Sequence, residues 1–226
     1  MSAAKFIQSN YKSIIKDPLE GIYVEYASED NIFEWNIWME GPTQTPYEGG
    51  VFNLRMFFPD DFPSNPPKLV FKSEFWHPNV YPDGKVCISI LHPPGEDEMS
   101  GELASERWLP TQSVSSILLS VQSMLCDPNM YSPANTDAMV QCRDHNKEYL
   151  KRCKEVSLKG RASLPSFIKI PHPDTDRIEH QKQIEKARGY DLKCSMDIDM
   201  FDDVGDGEEI HFLKLIRGFL NINNNN

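Results

Sequence analysis

The sequence predicts an α+β domain, in which a four-stranded antiparallel meander follows one helix and precedes three more. Three observations carry this prediction. Apolar residues recur at helical spacing at both ends of the domain, they alternate with other residues in its middle, and short turns separate the alternating runs. Successive strands joined by such short turns pair antiparallel, because a parallel pair needs a crossover of a dozen or more residues.

The first element is a helix near the N-terminus. One stripe of apolar side chains at helical spacing defines it: Phe6, Ile7, Tyr11, Ile14 and Ile15. Asp17-Pro18 ends the helix, because the residue before a proline is disfavoured in the α conformation. The apolar stripe is expected to face the rest of the domain.

Four strands are predicted between residues 21 and 71. Alternation is clearest at 32–40 and 51–57, whose apolar sets are Phe33, Trp35, Ile37 and Met39, then Phe52, Leu54 and Met56. Apolar runs at 21–26 and 68–71 add two strands, with turn residues at Gly41-Pro42, Gly49-Gly50 and Pro66-Pro67 between them. Each strand is expected to bury one face.

A long segment without a helical or strand period, residues 72–110, separates the sheet from the remaining helices. Loops of that length inside a compact domain are uncommon and usually functional. A central helix then begins after a cap at Thr111 and stops at Asp127-Pro128. Its apolar stripe consists of Val114, Ile117, Leu118, Val121 and Leu125. Two shorter helices are predicted at 135–142 and 144–157.

Composition changes after Ser157, so we divide the chain into a core domain at 1–157 and a C-terminal extension at 158–226. The extension is predicted to be largely disordered, because residues 191–209 hold eight acidic side chains against one basic and few apolar ones. Apolar residues at 210–220 have the spacing of a short amphipathic helix. Either the acidic block docks on basic ligase subunits and the helix packs on a partner groove or on the core, or the extension is a passive disordered tail.

The charge balance favours protein partners over nucleic acid. The chain of 226 residues has 23 Lys and Arg against 34 Asp and Glu, a net charge of -11, whereas nucleic-acid binding depends on neutralising phosphates. No apolar run has the length of a transmembrane segment, and no signal-type block stands at the N-terminus. The five cysteines are odd in number and include no Cys-x-x-Cys pair, which favours a reducing compartment.

Cys87 is the candidate nucleophile, because it lies in the long loop rather than in a predicted core element. A thiol accepts an acyl group readily, and the resulting thioester stays reactive enough to pass that group to another nucleophile. Asn79 either donates an N–H to the oxyanion intermediate, a contribution of about 3 kcal/mol in comparable sites, or serves as a turn residue. His77, Cys87 and His92 lack a fourth ligand at a recognisable spacing, so no metal site is predicted.

The motifs around Cys87 resemble those of the ubiquitin-conjugating enzyme (UBC) family across residues 3–157. They are His77-Pro78-Asn79, Gly84, Val86-Cys87-Ile88, Trp108-Leu109-Pro110, the upstream run from Tyr47 to Phe52, and Phe62-Pro63 with Pro66-Pro67. The run from Ser89 through Glu96-Asp97-Glu98 to Glu106 further resembles the acidic-loop subgroup that works with cullin-based and endoplasmic-reticulum-associated ligases. The resemblance implies the UBC fold and the building of lysine-linked ubiquitin chains, often of the kind that directs proteins to the proteasome.

The resemblance implies a role for each site residue. Cys87 would carry ubiquitin as a thioester, Asn79 would stabilise the intermediate or hold the loop, and Ser89 and His92 would form a gate at the active site. His92 would also assist removal of a proton from the attacking lysine. The acidic side chains would either position that lysine or only keep the loop solvated: Glu96, Asp97, Glu98, Glu102 and Glu106.

The resemblance also implies a set of partners. Lys5 and Lys12 would contact the ubiquitin-activating enzyme, which uses ATP upstream, so no cofactor is expected on this chain. The surface expected to bind a RING or cullin-RING ligase consists of Phe62, Ser64, Pro110 and Thr111, where Ser64 replaces the apolar residue of many members. The expected location is cytoplasmic or nuclear, or peripheral at the cytosolic face of the endoplasmic reticulum.

Three other functions remain as alternatives to ubiquitin conjugation. They are a non-catalytic ubiquitin-binding scaffold, conjugation of a ubiquitin-like modifier, and a cysteine hydrolase that uses His92 or His145.

Overall fold

The computed structural model describes residues 2–95 and 102–173, and it confirms the predicted α+β arrangement. The elements are α1 Ala3–Lys16, β1 Ile22–Ser28, β2 Asn31–Glu40, β3 Val51–Phe57, β4 Lys68–Phe71, α2 Val114–Cys126, α3 Thr136–Asp144 and α4 Asn146–Ala162. The strands form one antiparallel sheet in the order β1-β2-β3-β4. In the described part of the chain, no helix has the length and apolar character needed to cross a membrane.

One hydrophobic core joins the inner face of the sheet to α1 and α2. The side chains of Trp35 and Ile37 in β2 and of Ile117 in α2 are fully buried in it. Ile7 and Ile14 of α1 join the same core, whereas Ile15 is 54% exposed, so the buried stripe of α1 is narrower than predicted. Burial of this apolar surface is the main term that stabilises the domain.

The predicted cap of the central helix is wrong. Ser113, not Thr111, caps α2: its Oγ accepts from Ser116 N at 3.1 Å, and Ser116 Oγ accepts from Ser113 N at 3.1 Å. This reciprocal pair satisfies two main-chain N–H groups that a helix start leaves without partners. Thr111 lies exposed in the turn before it.

The last helix is longer than predicted, because it continues past Ser157 to Ala162. The boundary placed after Ser157 therefore falls inside α4. Gly160 permits this length, since a Cβ at that position would lie 2.5 Å from the carbonyl oxygen of Val51 on β3. The acidic block at 191–209 and the predicted helix at 210–220 lie outside the described residues.

The prediction that each strand buries one face is wrong for β2. Trp38 points away from the main core, yet it is only 6% exposed. It forms a second apolar cluster with Val51 of β3 and Ile168. Residues 164–172, which we call the strap, follow α4 and supply this cover on the outer face of the sheet.

The long loop after β4 is ordered by isolated bridges and one short helical turn. Val70 pairs with Lys85 and Val80 pairs with Val86, which extends the sheet locally beyond β4. A 3-10 turn at Ser89–Leu91 follows, a feature that the sequence pattern did not predict. The segment that carries Cys87 is therefore fixed by main-chain hydrogen bonds.

Candidate active site

Cys87 lies just after the second bridge, with its thiol half-buried. Its main-chain N–H donates to Asn79 O at 2.9 Å. The cysteine loop approaches β4 closely at Gly84, which has a φ of 88°. A Cβ at this position would lie 2.3 Å from the carbonyl oxygen of Phe71. Only glycine combines this left-handed backbone with so close a contact.

His77 fixes the backbone of the motif from the buried side. Its Nδ1 accepts from Asn79 N at 2.9 Å, and its Nε2 donates to Met124 O at 3.1 Å, because a carbonyl only accepts. Burial lowers the pKa of His77 to about 4, against the smaller opposing effect of the Met124 hydrogen bond. A neutral ring with one donor and one acceptor matches this environment.

The carboxamide of Asn79 connects the cysteine loop to the loop after α2. Its Nδ2 donates to Asn129 O at 2.8 Å, and its Oδ1 accepts from Asn129 N at 2.8 Å. Asn79 is buried, and it lines the same cavity as Cys87. The observed bonds match the loop-holding role, while the amide nitrogen retains a second N–H that can serve an oxyanion.

A thiol, an imidazole and a carboxylate stand in a row at the start of the predicted gate. The Sγ atom of Cys87 lies 3.5 Å from His92 Nε2, and His92 Nδ1 lies 2.8 Å from Glu102 Oε2. Ser89 Oγ donates to Glu102 Oε1 at 2.9 Å. Glu102 is thus a hydrogen-bonded member of the site rather than a solvated surface acid, and this arrangement can orient the ring and move a proton.

The other predicted acids divide into two groups. Glu106 is exposed, lines the cavity, and accepts through Oε2 from Leu103 N at 3.1 Å. Glu96, Asp97 and Glu98 lie outside the described residues, so the structure gives them no position.

Tyr81 is a site residue that the sequence analysis missed. The pKa of its phenol is raised, chiefly by interaction with Cys87 and to a smaller extent by burial and by the charge of Asp83. Lys85 Nζ lies 5.8 Å from the centre of the same ring. The available signal was its place between Asn79 and Cys87, because few residues separate it from either.

The cavity beside Cys87 has a volume of about 490 Å³ and brings together three parts of the chain. The cysteine loop contributes Asn79 and Ser89, and the acidic segment contributes Glu102 and Glu106. The end of α2 and the loop after it supply a third wall that the sequence analysis did not predict: Ser120, Ser123, Met124, Asp127, Asn129 and Ser132. Polar and apolar atoms line the cleft in about equal measure, and the carboxylates of Glu102, Glu106 and Asp127 are the groups that could attract an ammonium.

The residues predicted to contact partners are exposed at every position but one. Ser64, Pro110 and Thr111 are exposed, and so are Lys5 and Lys12 on α1. Phe62 is only 2% exposed, because its ring packs against Phe58 and Trp108. The assignment of Phe62 to a partner surface is therefore wrong, since its side chain belongs to the core.

Trp108 connects that core to the active site. Its indole Nε1 donates to Pro63 O at 2.7 Å, and its main-chain N–H donates to His92 O at 3.1 Å.

Within residues 2–95 and 102–173, no group of three or more His, Cys, Asp or Glu side chains is placed to hold a metal ion.

Comparison with known proteins identifies relatives of the whole core. The family model described as ubiquitin-conjugating enzyme matches residues 6–157. Ubiquitin-conjugating enzyme E2 14 of Arabidopsis thaliana is 50% identical over 150 residues, which cover 66% of this chain and 90% of that protein. Ubiquitin-conjugating enzyme E2 G2 of Homo sapiens is 48% identical over 159 residues, covering 70% and 96%. Ubiquitin-conjugating enzyme E2 15 of Schizosaccharomyces pombe is 46% identical over 155 residues, covering 69% and 93%.

Proposed function

Because this chain belongs to the ubiquitin-conjugating enzyme family, we propose that it carries ubiquitin as a thioester on Cys87 and transfers it to lysine amines. The Cys87 thiolate attacks the carbonyl carbon of the ubiquitin C-terminus on the activating enzyme, and the group that held it there leaves. An acceptor amine then attacks the thioester, a C–N bond forms, the C–S bond breaks, and the thiolate of Cys87 is released. The single observation that carries this proposal is the half-buried Cys87 thiol beside His92 at the edge of a cavity that Glu102 and Glu106 also line.

We assign the proton transfer to His92. An attacking lysine must lose a proton, and His92 Nε2 lies 3.5 Å from the sulfur that holds the acyl group. Glu102 acts as a positioning residue, because its bond to Nδ1 directs Nε2 towards the thiol. Glu106, and the acids at 96–98, would attract the lysine ammonium into the cleft.

Asn79 has two proposed roles, which its geometry makes compatible. The bonds to Asn129 hold the two loops together, and the remaining N–H of the same amide would donate to the tetrahedral oxyanion. Tyr81 would place a phenol near the sulfur, because interaction with Cys87 is the main cause of the raised pKa of its hydroxyl.

The partners and products of this reaction are further parts of the proposal. The acidic segment between Cys87 and Trp108 supports the building of lysine-linked chains, of the proteasome-directing kind, with a RING or cullin-RING ligase. Ser64, Pro110 and Thr111 form the exposed surface for that ligase, and Lys5 and Lys12 face the activating enzyme. We infer that ATP is used only by the activating enzyme, and that the chain acts in the cytoplasm or nucleus, or at the cytosolic face of the endoplasmic reticulum through its ligase.

A charging assay tests the proposal. The full chain is incubated with ATP and a panel of modifiers, each with its own activating enzyme. We expect an adduct with ubiquitin that a thiol reductant removes, a reductant-resistant ester in Cys87→Ser, and an unchanged thioester in the control Cys126→Ser, whose cysteine is exposed at the end of α2. If no modifier formed an adduct, the proposed enzymatic activity would be rejected in favour of a non-catalytic scaffold. If only a ubiquitin-like protein formed an adduct, that protein and not ubiquitin would be the modifier.

A cysteine hydrolase is the second candidate, because a thiol, an imidazole and a carboxylate in line are also the parts of a hydrolytic site. The two functions differ in what happens to the loaded enzyme. A conjugating enzyme keeps its thioester in the absence of an acceptor and loses it faster when free lysine is added. Rapid release of free ubiquitin that lysine does not accelerate would establish the hydrolase.

A further inference from the structure

The strap, residues 164–172, occupies the outer face of the sheet as a bound peptide would. Ile168 is 6% exposed and packs with Trp38 and Val51, while Leu164 and Ile170 of the strap lie beside them, half-buried. The neighbouring Phe167 is 76% exposed. Side chains therefore alternate between the sheet and solvent around one aliphatic anchor, as in extended peptides bound to a protein surface.

The end of the strap is held by polar contacts at the corner of the sheet. Pro171 O accepts from Gly21 N at 2.9 Å, which adds a main-chain hydrogen bond to the docking. His172 Nδ1 lies 2.6 Å from Glu20 Oε1, and its Nε2 lies 3.3 Å from Glu40 Oε2. The first contact is a hydrogen bond and the second an ion-pair distance, so the two carboxylates at this corner favour a cationic partner.

The strap leaves one polar group beneath it unsatisfied. Trp38 is more than nine-tenths buried, and among the residues that the structure describes its indole Nε1 has no hydrogen-bond partner. Buried donors in native proteins are nearly always paired. The strap covers the apolar surface of this face but provides no acceptor for the indole.

The rest of the outer face is lined by polar side chains that contact one another, although the buried Nε of Arg55 has no hydrogen-bond partner among the described residues. Asn36 Nδ2 donates to Glu25 Oε1 at 2.7 Å, and Asn53 Nδ2 donates to Asn36 Oδ1 at 2.6 Å. Arg55 pairs with Glu34 at 2.6 Å farther along the same face. The apolar surface of this face is therefore centred on Trp38 and Val51, with Tyr23 of β1 beside them.

We propose that the strap is an intramolecular ligand that closes a peptide-binding surface, and that a partner peptide opens this surface by displacing it. The occupant that fits is a segment with an aliphatic anchor for Trp38 and Val51, an acceptor for the Trp38 indole, and a cationic residue for Glu20 and Glu40. Such a peptide would gain a hydrogen bond to the Trp38 indole that the strap does not make. It would compete with a strap that is covalently tethered beside the site and therefore has a high effective concentration. The strap is thus autoinhibitory for this surface.

The test uses the full chain and a fluorescent synthetic peptide that copies residues 164–173. Ile168→Asp detaches the anchor, and Phe167→Asp is the matched control that places the same charge on the solvent side of the strap. We expect the peptide to bind Ile168→Asp at least about tenfold more tightly than the wild type or Phe167→Asp, because only the first variant removes the internal competitor. A peptide carrying Ile168→Asp itself should not bind.

Each other result overturns the proposal. Equal affinity for all three chains would mean that the peptide binds elsewhere, and no binding to Ile168→Asp would mean that the face has no affinity for such a segment. Thermal unfolding checks that the variants are folded, and amide hydrogen exchange at Gly21 reports strap release directly, because this N–H bonds to Pro171. Gly21 should exchange faster in Ile168→Asp alone. Neither readout depends on ubiquitin transfer.

Discussion

His92 and Glu102 are joined by a short contact, with Nδ1 of the ring 2.8 Å from Oε2 of the carboxylate. Because the carboxylate only accepts, the Nδ1 atom carries a proton, and the Nε2 atom is the one that faces the thiol of Cys87. Glu102 therefore favours the tautomer of His92 that has its proton on Nδ1. The unprotonated Nε2 of this tautomer can accept a proton from the acceptor amine.

Removal of the negative charge of Glu102 is expected to slow the transfer of ubiquitin to lysine without preventing the formation of the Cys87 thioester. General base catalysis is worth roughly 100-fold or more, so a misdirected His92 in Glu102→Gln should slow discharge of the ubiquitin thioester to free lysine about tenfold. Single-turnover discharge measures this rate. The control is Glu29→Gln, in the exposed turn between β1 and β2. Equal discharge rates for both variants would remove Glu102 from the mechanism.

Loss of the Asn79 carboxamide is expected to destabilise the domain. Asn79→Ala leaves the N–H and C=O of Asn129 without their partners, and such a loss costs about 2 kcal/mol of the free energy of unfolding. Urea denaturation measures it, with Asn146→Ala at an exposed position of α4 as the control. If Asn79→Ala kept full stability but discharged slowly, the oxyanion role would stand without the loop-holding one.

His77 is expected to make the fold less stable in mild acid. Its pKa is about 4 when folded and about 6.5 when unfolded, so the unfolded chain binds more protons between these values. Stability is therefore complete above the unfolded pKa and falls as the pH approaches 4, with a loss of about 2 kcal/mol at pH 5 relative to pH 7. Urea unfolding at both pH values should show a smaller difference in His77→Gln. Exposed His145→Gln should keep the wild-type difference.

Two glycines with positive φ are expected to differ in their tolerance of alanine. Gly84 and Gly49 have φ values of 88° and 79°, but a Cβ meets Phe71 O at 2.3 Å in the first and nothing within 4 Å in the second. Gly49→Ala should cost about 1 kcal/mol of backbone strain, and Gly84→Ala about 3 kcal/mol or more. Chemical denaturation of both variants measures the difference. An equal loss in the free energy of unfolding for both variants would show that the cysteine loop shifts to accommodate the added Cβ at Gly84.

The elements that could be predicted from sequence are those whose signal is local. Alternation at 32–40 marks the inward set of β2, and the stripe from Val114 to Leu125 marks α2, because side-chain period follows directly from backbone geometry. The cover over Trp38 has no local signal. It comes from Ile168, which is distant in sequence, so the period of β2 alone misassigned the outer face.

The candidate site divides in the same way. Cys87, Asn79 and His92 lie in one segment with a recognisable motif, whereas the bond between Glu102 and His92 depends on how the acidic segment folds back. Phe62 shows the reverse error. The family resemblance placed it in the ligase surface together with Ser64, but its ring packs against Phe58 and Trp108 in the core.

Trp108 gives the domain a mechanical linkage. One residue holds the carbonyl of Pro63 through its indole and the carbonyl of His92 through its main chain. The loop that displays Ser64 and the residue beside the thiol are thus connected by a rigid, fully buried aromatic ring instead of by a flexible chain. Two hydrogen bonds of a single residue therefore tie the position of the outer loop to the main chain of His92, beside the thiol.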